Sequence, residues 1–273
     1  MASATAGRRP ETTPRTRRRK PTTASLEAGW GIGVAKPLEQ FEIKTLVDIP
    51  VGGLDASFTN ASVFMVIAVA AITLFLTLGM RQRALVPGRW QSLAELSYQF
   101  VAQLVRENVG AEGRQYFPFI FTLFMFILFS NMIGLIPYAF TVTSHIIVTF
   151  ALALVVFLGV TLVALIKHRL RFFSFFMPPG VPLYMAPLLV PIEIISYLAR
   201  PVTLGLRLFA NMMAGHTMLK VFAGFIVVLG IGGIAPIAAI VLLYGLEVIV
   251  AVLQAYVFII LTCLYLHDAL HLH

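Results

Sequence analysis

The 273-residue chain is 59% hydrophobic and only 12% charged, with a mean hydropathy of +0.90, against about 25% charged residues in ordinary soluble domains. So few charges cannot cover a water-soluble globule of this size, and lipid must be the solvent for most of the chain. The single cysteine, Cys263, excludes a disulfide framework and a multi-cysteine metal site, and the formal net charge of +8 is concentrated in one place: Arg8, Arg9, Arg15, Arg17, Arg18, Arg19 and Lys20 crowd the start of the chain, with only Glu11 against them.

Residues 1–35, rich in Thr, Ala, Pro and Arg, carry too little apolar surface to offset their ordering entropy and read as a disordered basic N-terminal extension. A lipid- or nucleic-acid-binding arm, an organellar transit peptide and a dispensable extension all fit that composition. No apolar core follows the basic run, so it does not read as a secretory signal peptide. A single membrane domain is expected over 36–273. Its first span is 58–80, where the uncharged run ending at Met80 supplies the roughly 20 apolar residues that cross ~30 Å of hydrocarbon. Arg81, Arg83 and Arg89 follow it, and positive residues favour the cytoplasmic or matrix side, so the chain enters from outside. Over 90–107, Trp90, Leu93, Phe100, Val101 and Leu104 recur at three- and four-residue intervals opposite Gln91, Glu95, Gln99, Gln103 and Arg106. That pattern, with Ser92 and Glu95 at capping-box spacing, predicts an amphipathic helix lying on the inner membrane surface or packed on a soluble partner.

The 52 residues from Gln115 to Ile166 contain no Asp, Glu, Lys or Arg; as one helix they would reach about 78 Å, so they form two spans. The predicted spans are 115–137 and 143–167, separated by an uncharged outer turn holding Gly134, Pro137, Thr141, Thr143, Ser144 and His145. Lys167, Arg169 and Arg171 return the chain to the inside. Five prolines between Pro178 and Pro191 predict a Pro-rich loop over 172–187. Beyond it, Gly230, Gly232, Gly233 and Pro236 read as a turn that folds the rest into a hairpin of two long arms, 188–229 and 236–268. Arms of that length are too long to stand upright and must tilt steeply. The fold expected is an all-α polytopic membrane protein with three transmembrane spans, one interfacial amphipathic helix and a C-terminal hairpin of two strongly tilted membrane helices.

The first arm carries the chemistry. Glu193, Ser196, Arg200, Thr203, Arg207 and Asn211 follow one another at intervals of three or four residues, which confines them to an arc of about 80° and a track about 27 Å long. A charge at bilayer depth costs from ~2.5 to over 10 kcal/mol, so such residues face a partner or water. Arg200 is near enough to the inner end to snorkel, whereas Arg207 lies about 21 Å along the helix from Glu193, too deep for easy escape. Antiparallel arms place Arg207 opposite Gln254, His216 opposite Glu247 and Glu193 opposite Asp268. No carboxylate of the stripe is close to Arg207, so its partner is expected on another subunit. His267, His271 and His273 lack a further ligand and read as a solvated C-terminus rather than a metal site.

Arg207-Leu-Phe-Ala-Asn211-Met-Met-Ala-Gly215-His216, preceded by Pro201-Val-Thr-Leu-Gly-Leu, resembles the signature of subunit a of F-type ATP synthases. The resemblance runs from Pro37-Leu-Glu-Gln-Phe-Glu through Phe58-Thr-Asn60, Asn131-Met-Ile-Gly-Leu-Ile-Pro137 and Gln254-Ala-Tyr to the C-terminus. The tail of residues 1–35 departs from the family, as does Ala210, where the family often has Gly. His216 and Glu247 are similar to the arrangement in alphaproteobacterial and mitochondrial members; other bacterial members carry Glu and His there.

The resemblance implies a non-catalytic stator beside a ring of c subunits, each bearing a membrane-embedded carboxylate, with peripheral-stalk b subunits and the rest of the ATP synthase as further partners. It implies an outer half-channel lined by Asn211, His216 and Glu247, and an inner one lined by Glu193, Ser196, Thr203 and Asp268. Arg207 would sit between them as electrostatic release group and leak barrier, supported by Gln254. No cofactor, metal or nucleic acid is implied, and no phosphate-binding loop occurs, so ATP chemistry belongs to other subunits. The expected location is the bacterial cell inner membrane with the N-terminus outside and the C-terminus cytoplasmic; the mitochondrial inner membrane is the alternative. A secondary transporter would carry inverted repeats with broken helices, and none is found. A purely structural subunit would not require the deep arginine.

Overall fold

The computed structural model describes residues 45–47, 50–51, 54–55, 58–81, 88–136, 139–169 and 183–271. The chain divides into two units, Met1–Ala35 and Lys36–His273, and all described residues belong to the second. The basic segment 1–35 and the greater part of the loop expected over 172–187 lie outside the described residues, as does His273.

Two short antiparallel strand pairs open the described chain: β1 (Thr45–Val47) with β4 (Phe58–Thr59), and β2 (Pro50–Val51) with β3 (Leu54–Asp55). Among the described residues, every regular element after them is helical. The helices are α1 (Asn60–Gly79), α2 (Arg89–Asn108), α3 (Phe117–Gly134), α4 (Ile146–His168), α5 (Ala186–Leu229) and α6 (Ile234–Leu270), with single 3₁₀ turns at Ala111–Tyr116, Val142–Ser144, Leu183–Met185 and Gly230–Gly233. Among the described residues five helical stretches are long and apolar enough to cross a membrane: α1, α3 with the turn before it, α4, α5 and α6. The chain is thus a polytopic helical membrane protein.

α2 is the exception in composition. Ala94, Val101, Leu104 and Val105 pack inward while Gln103, Arg106 and Glu107 are exposed. On the flank between them Leu93, Leu96 and Phe100 keep substantial exposure. A helix polar on one side and apolar on the flank suits the boundary between headgroups and hydrocarbon.

α5 has 44 residues and α6 has 37, lengths of about 66 and 56 Å. α5 passes through Pro191 and Pro201 without ending. Each proline removes one helical donor, a loss that membrane helices tolerate where neighbouring groups cover the freed carbonyl. α5 also has two distinct faces. Leu204, Leu208 and Met212, spaced four apart, are fully buried, and Gly205 beside them lets the α4 backbone approach closely: a Cβ there would lie 3.1 Å from the Phe150 Cα and 3.2 Å from the Thr149 carbonyl oxygen. The central core joins Leu204 and Leu208 to Ile120, Phe124 and Ile127 of α3, Ala153 and Val156 of α4, and Ala255, Phe258 and Ile259 of α6, while Met212 packs with Leu135 and Ala251 in a smaller cluster.

The two ends of the bundle differ in charge. At one end Lys167, in the last turn of α4, pairs with Glu112, and the His168 Nε2–H donates to the Ala269 carbonyl of α6 at 3.1 Å. At the other, the Tyr244 hydroxyl of α6 donates to the Leu135 carbonyl just past α3 at 3.1 Å. The turn there, Thr141–Ser144, is uncharged and buried.

Gly205→Leu is expected to force α4 and α5 apart at an overpacking cost of about 1–3 kcal/mol, read as a lower thermal midpoint of the purified protein. Gly159→Leu, on the open side of α4 where an added Cβ meets nothing within 4 Å, should leave the midpoint unchanged.

Candidate functional site

The polar stripe of α5 lies on the flank of its core face. Ser196, Thr203, Arg207 and Asn211 are exposed and Glu193 and Arg200 are half-buried, beside the buried Leu204, Leu208 and Met212. This arrangement follows from the sequence: apolar side chains at four-residue spacing take the core, and the polar set, centred about a quarter of a turn away, is left on the flank. Among the described residues no carboxylate lies within 4 Å of the Arg207 guanidinium, and none of the cations lies that close to Glu193. The Thr203 hydroxyl donates to the Arg200 carbonyl at 3.0 Å, so its proton is committed to the helix that carries it.

Behind the stripe, α5 and α6 share buried polar groups. His216 and Glu247 are both buried, and His216 Nδ1 meets Glu247 Oε1 directly. On the other edge of the imidazole, Nε2 lies 2.8 Å from Thr141 Oγ1 and 2.9 Å from the Gly134 carbonyl oxygen. Glu247 Oε2 is buried and has no hydrogen-bond partner among the described residues. Two turns nearer the chain's charged end, Asn211 Nδ2 donates to Gln254 Oε1 at 2.7 Å. Gln254 is 1% exposed, and its Nε2 likewise lacks a partner among the described residues.

Of the juxtapositions expected from sequence, the structure brings His216 to Glu247, but it gives Gln254 to Asn211 rather than to Arg207, and Asp268 to Arg200 rather than to Glu193. The difference is one of register along the helices: Asn211 lies one turn beyond Arg207, and Arg200 two turns beyond Glu193, on the same stripe. Gln254 sits on the buried face of α6 with Ala251, Ala255 and Phe258, and Asn211 is the stripe residue that reaches it. At the charged end Arg200 Nη1 lies 3.3 Å from Asp268 Oδ2. Its guanidinium also lies between the rings of Tyr197 and Tyr265, 5.4 and 5.1 Å from their centroids, and the Tyr197 hydroxyl shares a 2.6 Å hydrogen bond with Thr161 of α4. This arginine is therefore held by cation–π contact and charge pairing within its own chain.

The sequence offers Asn131 as a helix-packing hydrogen bonder and places Thr141 and Thr143 in a turn without contacts. Thr143 Oγ1 donates to Asn131 Oδ1 at 2.8 Å, and Asn131 Nδ2 donates to the Ala251 carbonyl of α6 at 3.1 Å. The signal that could have found them is three hydroxyl residues in four, inside an otherwise apolar run, where lipid offers no partner. His145, between that turn and α4, stacks on Phe140 with centroids 4.7 Å apart, and burial pushes its imidazole pKa below the usual histidine value.

The sequence profile of the ATP synthase A chain family matches residues 62–267. The chain belongs to that family. A protein named ATP synthase subunit a from Parvibaculum lavamentivorans is 59% identical over 256 residues, covering 91% of this chain and 98% of that protein. One of the same name from Paramagnetospirillum magneticum is 55% identical over 247 residues, covering 88% of this chain and all of that protein. Another, from Rhodospirillum rubrum, is 53% identical over 238 residues, covering 87% and 99%. The part matched to the ATP synthase A chain profile contains Arg207, Asn211, His216, Glu247 and Gln254 and ends one residue before Asp268.

Asn131→Leu should strand the Thr143 hydroxyl in a buried site and remove the side-chain link to α6 at Ala251, at about 1–3 kcal/mol. The expected result is a reduced amount of folded protein in the membrane and a lower thermal midpoint; an unchanged midpoint would mean that this network is not needed to hold α3 against α6.

Proposed function

We propose that this chain is the proton-translocating stator subunit of an F-type ATP synthase, forming two offset half-channels against a ring of c subunits and coupling proton flow to ring rotation. The observation that carries the reading is the position of Arg207: a permanent cation on an exposed face of a membrane helix whose other face is packed core, with no carboxylate among the described residues at ion-pair distance. A charge so placed in lipid calls for a counter-charge from outside the chain, and a membrane-embedded carboxylate on a moving ring supplies one. Guanidinium keeps its proton at any accessible pH, so Arg207 attracts an ionised ring carboxylate and passes no proton itself.

Asn211, His216 and Glu247 line the outer half-channel in this reading. An imidazole in contact with a carboxylate is a pair able to take and give a proton near neutral pH. Glu193, Ser196, Thr203 and Asp268 line the inner half-channel. Gln254 supports the stripe through Asn211. The subunit does no ATP chemistry and takes no cofactor. Peripheral-stalk b subunits hold it against rotation, and lipid covers the remaining apolar faces.

The end bearing Lys167, Arg169 and Arg200 is cytoplasmic by the positive-inside rule, which puts the C-terminus in the cytoplasm and the N-terminus outside a bacterial inner membrane.

Arg207→Lys replaces a fixed, permanently charged fork with a titratable point donor. ATP-driven acidification of membrane vesicles carrying the variant should be abolished while the variant still co-purifies with the c-ring; retained pumping would refute the role. For the relay, His216→Ala and Glu247→Ala should each suppress pumping, and the exchange of the two residues should restore part of it. Pumping that ignores all three changes would place the outer path elsewhere.

A further inference from the structure

The surroundings of His216 differ on its two edges, and the difference fixes where its protons are. At the Nε2 edge the Gly134 carbonyl oxygen, 2.9 Å away, can only accept. Thr141 Oγ1, 2.8 Å away, donates its own proton to the same Gly134 carbonyl at 3.3 Å and so presents lone pairs to the ring. Two acceptors aimed at one ring nitrogen are satisfied by an N–H and repelled by a bare lone pair, so Nε2 carries hydrogen. At the Nδ1 edge lies Glu247 Oε1. The charged groups facing the ring are Glu247 from α6 and Lys220, one turn on along α5; the end of α3 and the Thr141–Ser144 turn offer uncharged groups.

We propose that Thr141 is a positioning residue of the proton relay: together with the Gly134 carbonyl it locks His216 in the Nε2–H form, so that the exchangeable proton lies only between Nδ1 and Glu247. This rests on the outer half-channel reading for its consequence, though the lock itself rests on the geometry. A proton arriving on Glu247 passes from Oε1 to Nδ1, leaving carboxylate and imidazolium, and the reverse step restores carboxylic acid and neutral ring. Nε2 keeps its hydrogen throughout and exchanges nothing with Thr141. His216 is then a store on one side of Glu247 rather than a wire through which protons pass. The way in and out of the pair is Glu247 Oε2, the buried oxygen without a partner among the described residues.

The lock is built by a close approach. A Cβ on Gly134 would come within 2.6 Å of Thr141 Cγ2 and 2.9 Å of Thr141 Oγ1, so the residue at the end of α3 must be glycine for the hydroxyl to reach both the carbonyl and the ring. Thr141 is 1% exposed, which leaves its hydroxyl little competition from water.

The test is the ¹⁵N spectrum of histidine-labelled complex reconstituted in lipid, with His216 assigned by its loss in His216→Ala. Wild type at a pH where the ring is neutral should show a protonated Nε2 and a bare Nδ1. The opposite tautomer in wild type would overturn the proposal without any variant being needed. Thr141→Val keeps the shape and removes the acceptor; the spectrum should become a mixture of tautomers and vesicle pumping should fall about tenfold, less than the 100-fold or more that loss of an acid–base group itself brings. Thr141→Ser should restore both. A single Nε2–H form and full pumping in Thr141→Val would overturn the role of Thr141 even if His216→Ala abolishes pumping. Full pumping in His216→Ala would instead overturn the outer half-channel reading and leave the tautomer result standing.

Discussion

Lipid offers no hydrogen bonds, and a polar group left unpaired in it costs several kcal/mol. That constraint sorts the polar residues of this chain into two kinds. Those that the bundle can reach are paired inside it: Asn131 with Thr143 and the α6 backbone, His216 with Glu247 and Thr141, Asn211 with Gln254. Those that it cannot reach lie along the exposed flank of α5, with Arg207 among them. The first kind holds the helices in one register. The second kind makes sense only against another molecule.

The inner pairs depend on one another through position. The Thr141–Ser144 turn is held by Asn131 below and by His216 beside it, and the same Asn131 reaches the α6 backbone at Ala251, one turn from Glu247. Moving α6 by a turn would therefore break three buried contacts at once. Rigidity of this kind suits a site in which a proton must find its acceptor within hydrogen-bond distance. At the charged end the contacts are different in kind. Arg200, Asp268, Tyr197 and Tyr265 are only partly buried, and half-exposed ion pairs contribute little stability of their own.

Most of the helical plan was legible because it is written in hydropathy. The uncharged run ending at Met80 and the 52-residue run that must break in two are each features that one layout satisfies in a bilayer of fixed thickness, whereas hydropathy alone reads 221–246 as a single span and the glycines at 230, 232 and 233 are what mark the turn. The polar stripe was legible as a stripe because helical periodicity is regular. Which way it faces was not, since that depends on the apolar residues with which Leu204, Leu208 and Met212 pack, and those are far away in sequence. Counting along an antiparallel hairpin found the His216–Glu247 pair but missed the partner of Gln254 by one helical turn, because a constant index sum assumes straight, parallel axes and the register of the two arms drifts away from the turn. Thr141 was illegible as a contact of His216 for a similar reason: 75 residues separate them, and no pattern in either segment names the other. The short strand pairs before α1 carry no periodicity long enough to read.

The length of α5 has a consequence for where the ends of its polar track open. A helix of about 66 Å, if contained in a bilayer of ~45 Å with headgroups included, would lie at no less than about 45° to the normal. Tilting turns depth into sideways displacement. Along a track of about 27 Å, that angle sets Glu193 and Asn211 about 20 Å apart in the plane of the membrane as well as at different depths. Under the proposed function, openings at the two ends of the track would not lie on one line, and a charge carried between them would have to be moved laterally by the partner ring. That separation arises from the helix being too long for its solvent.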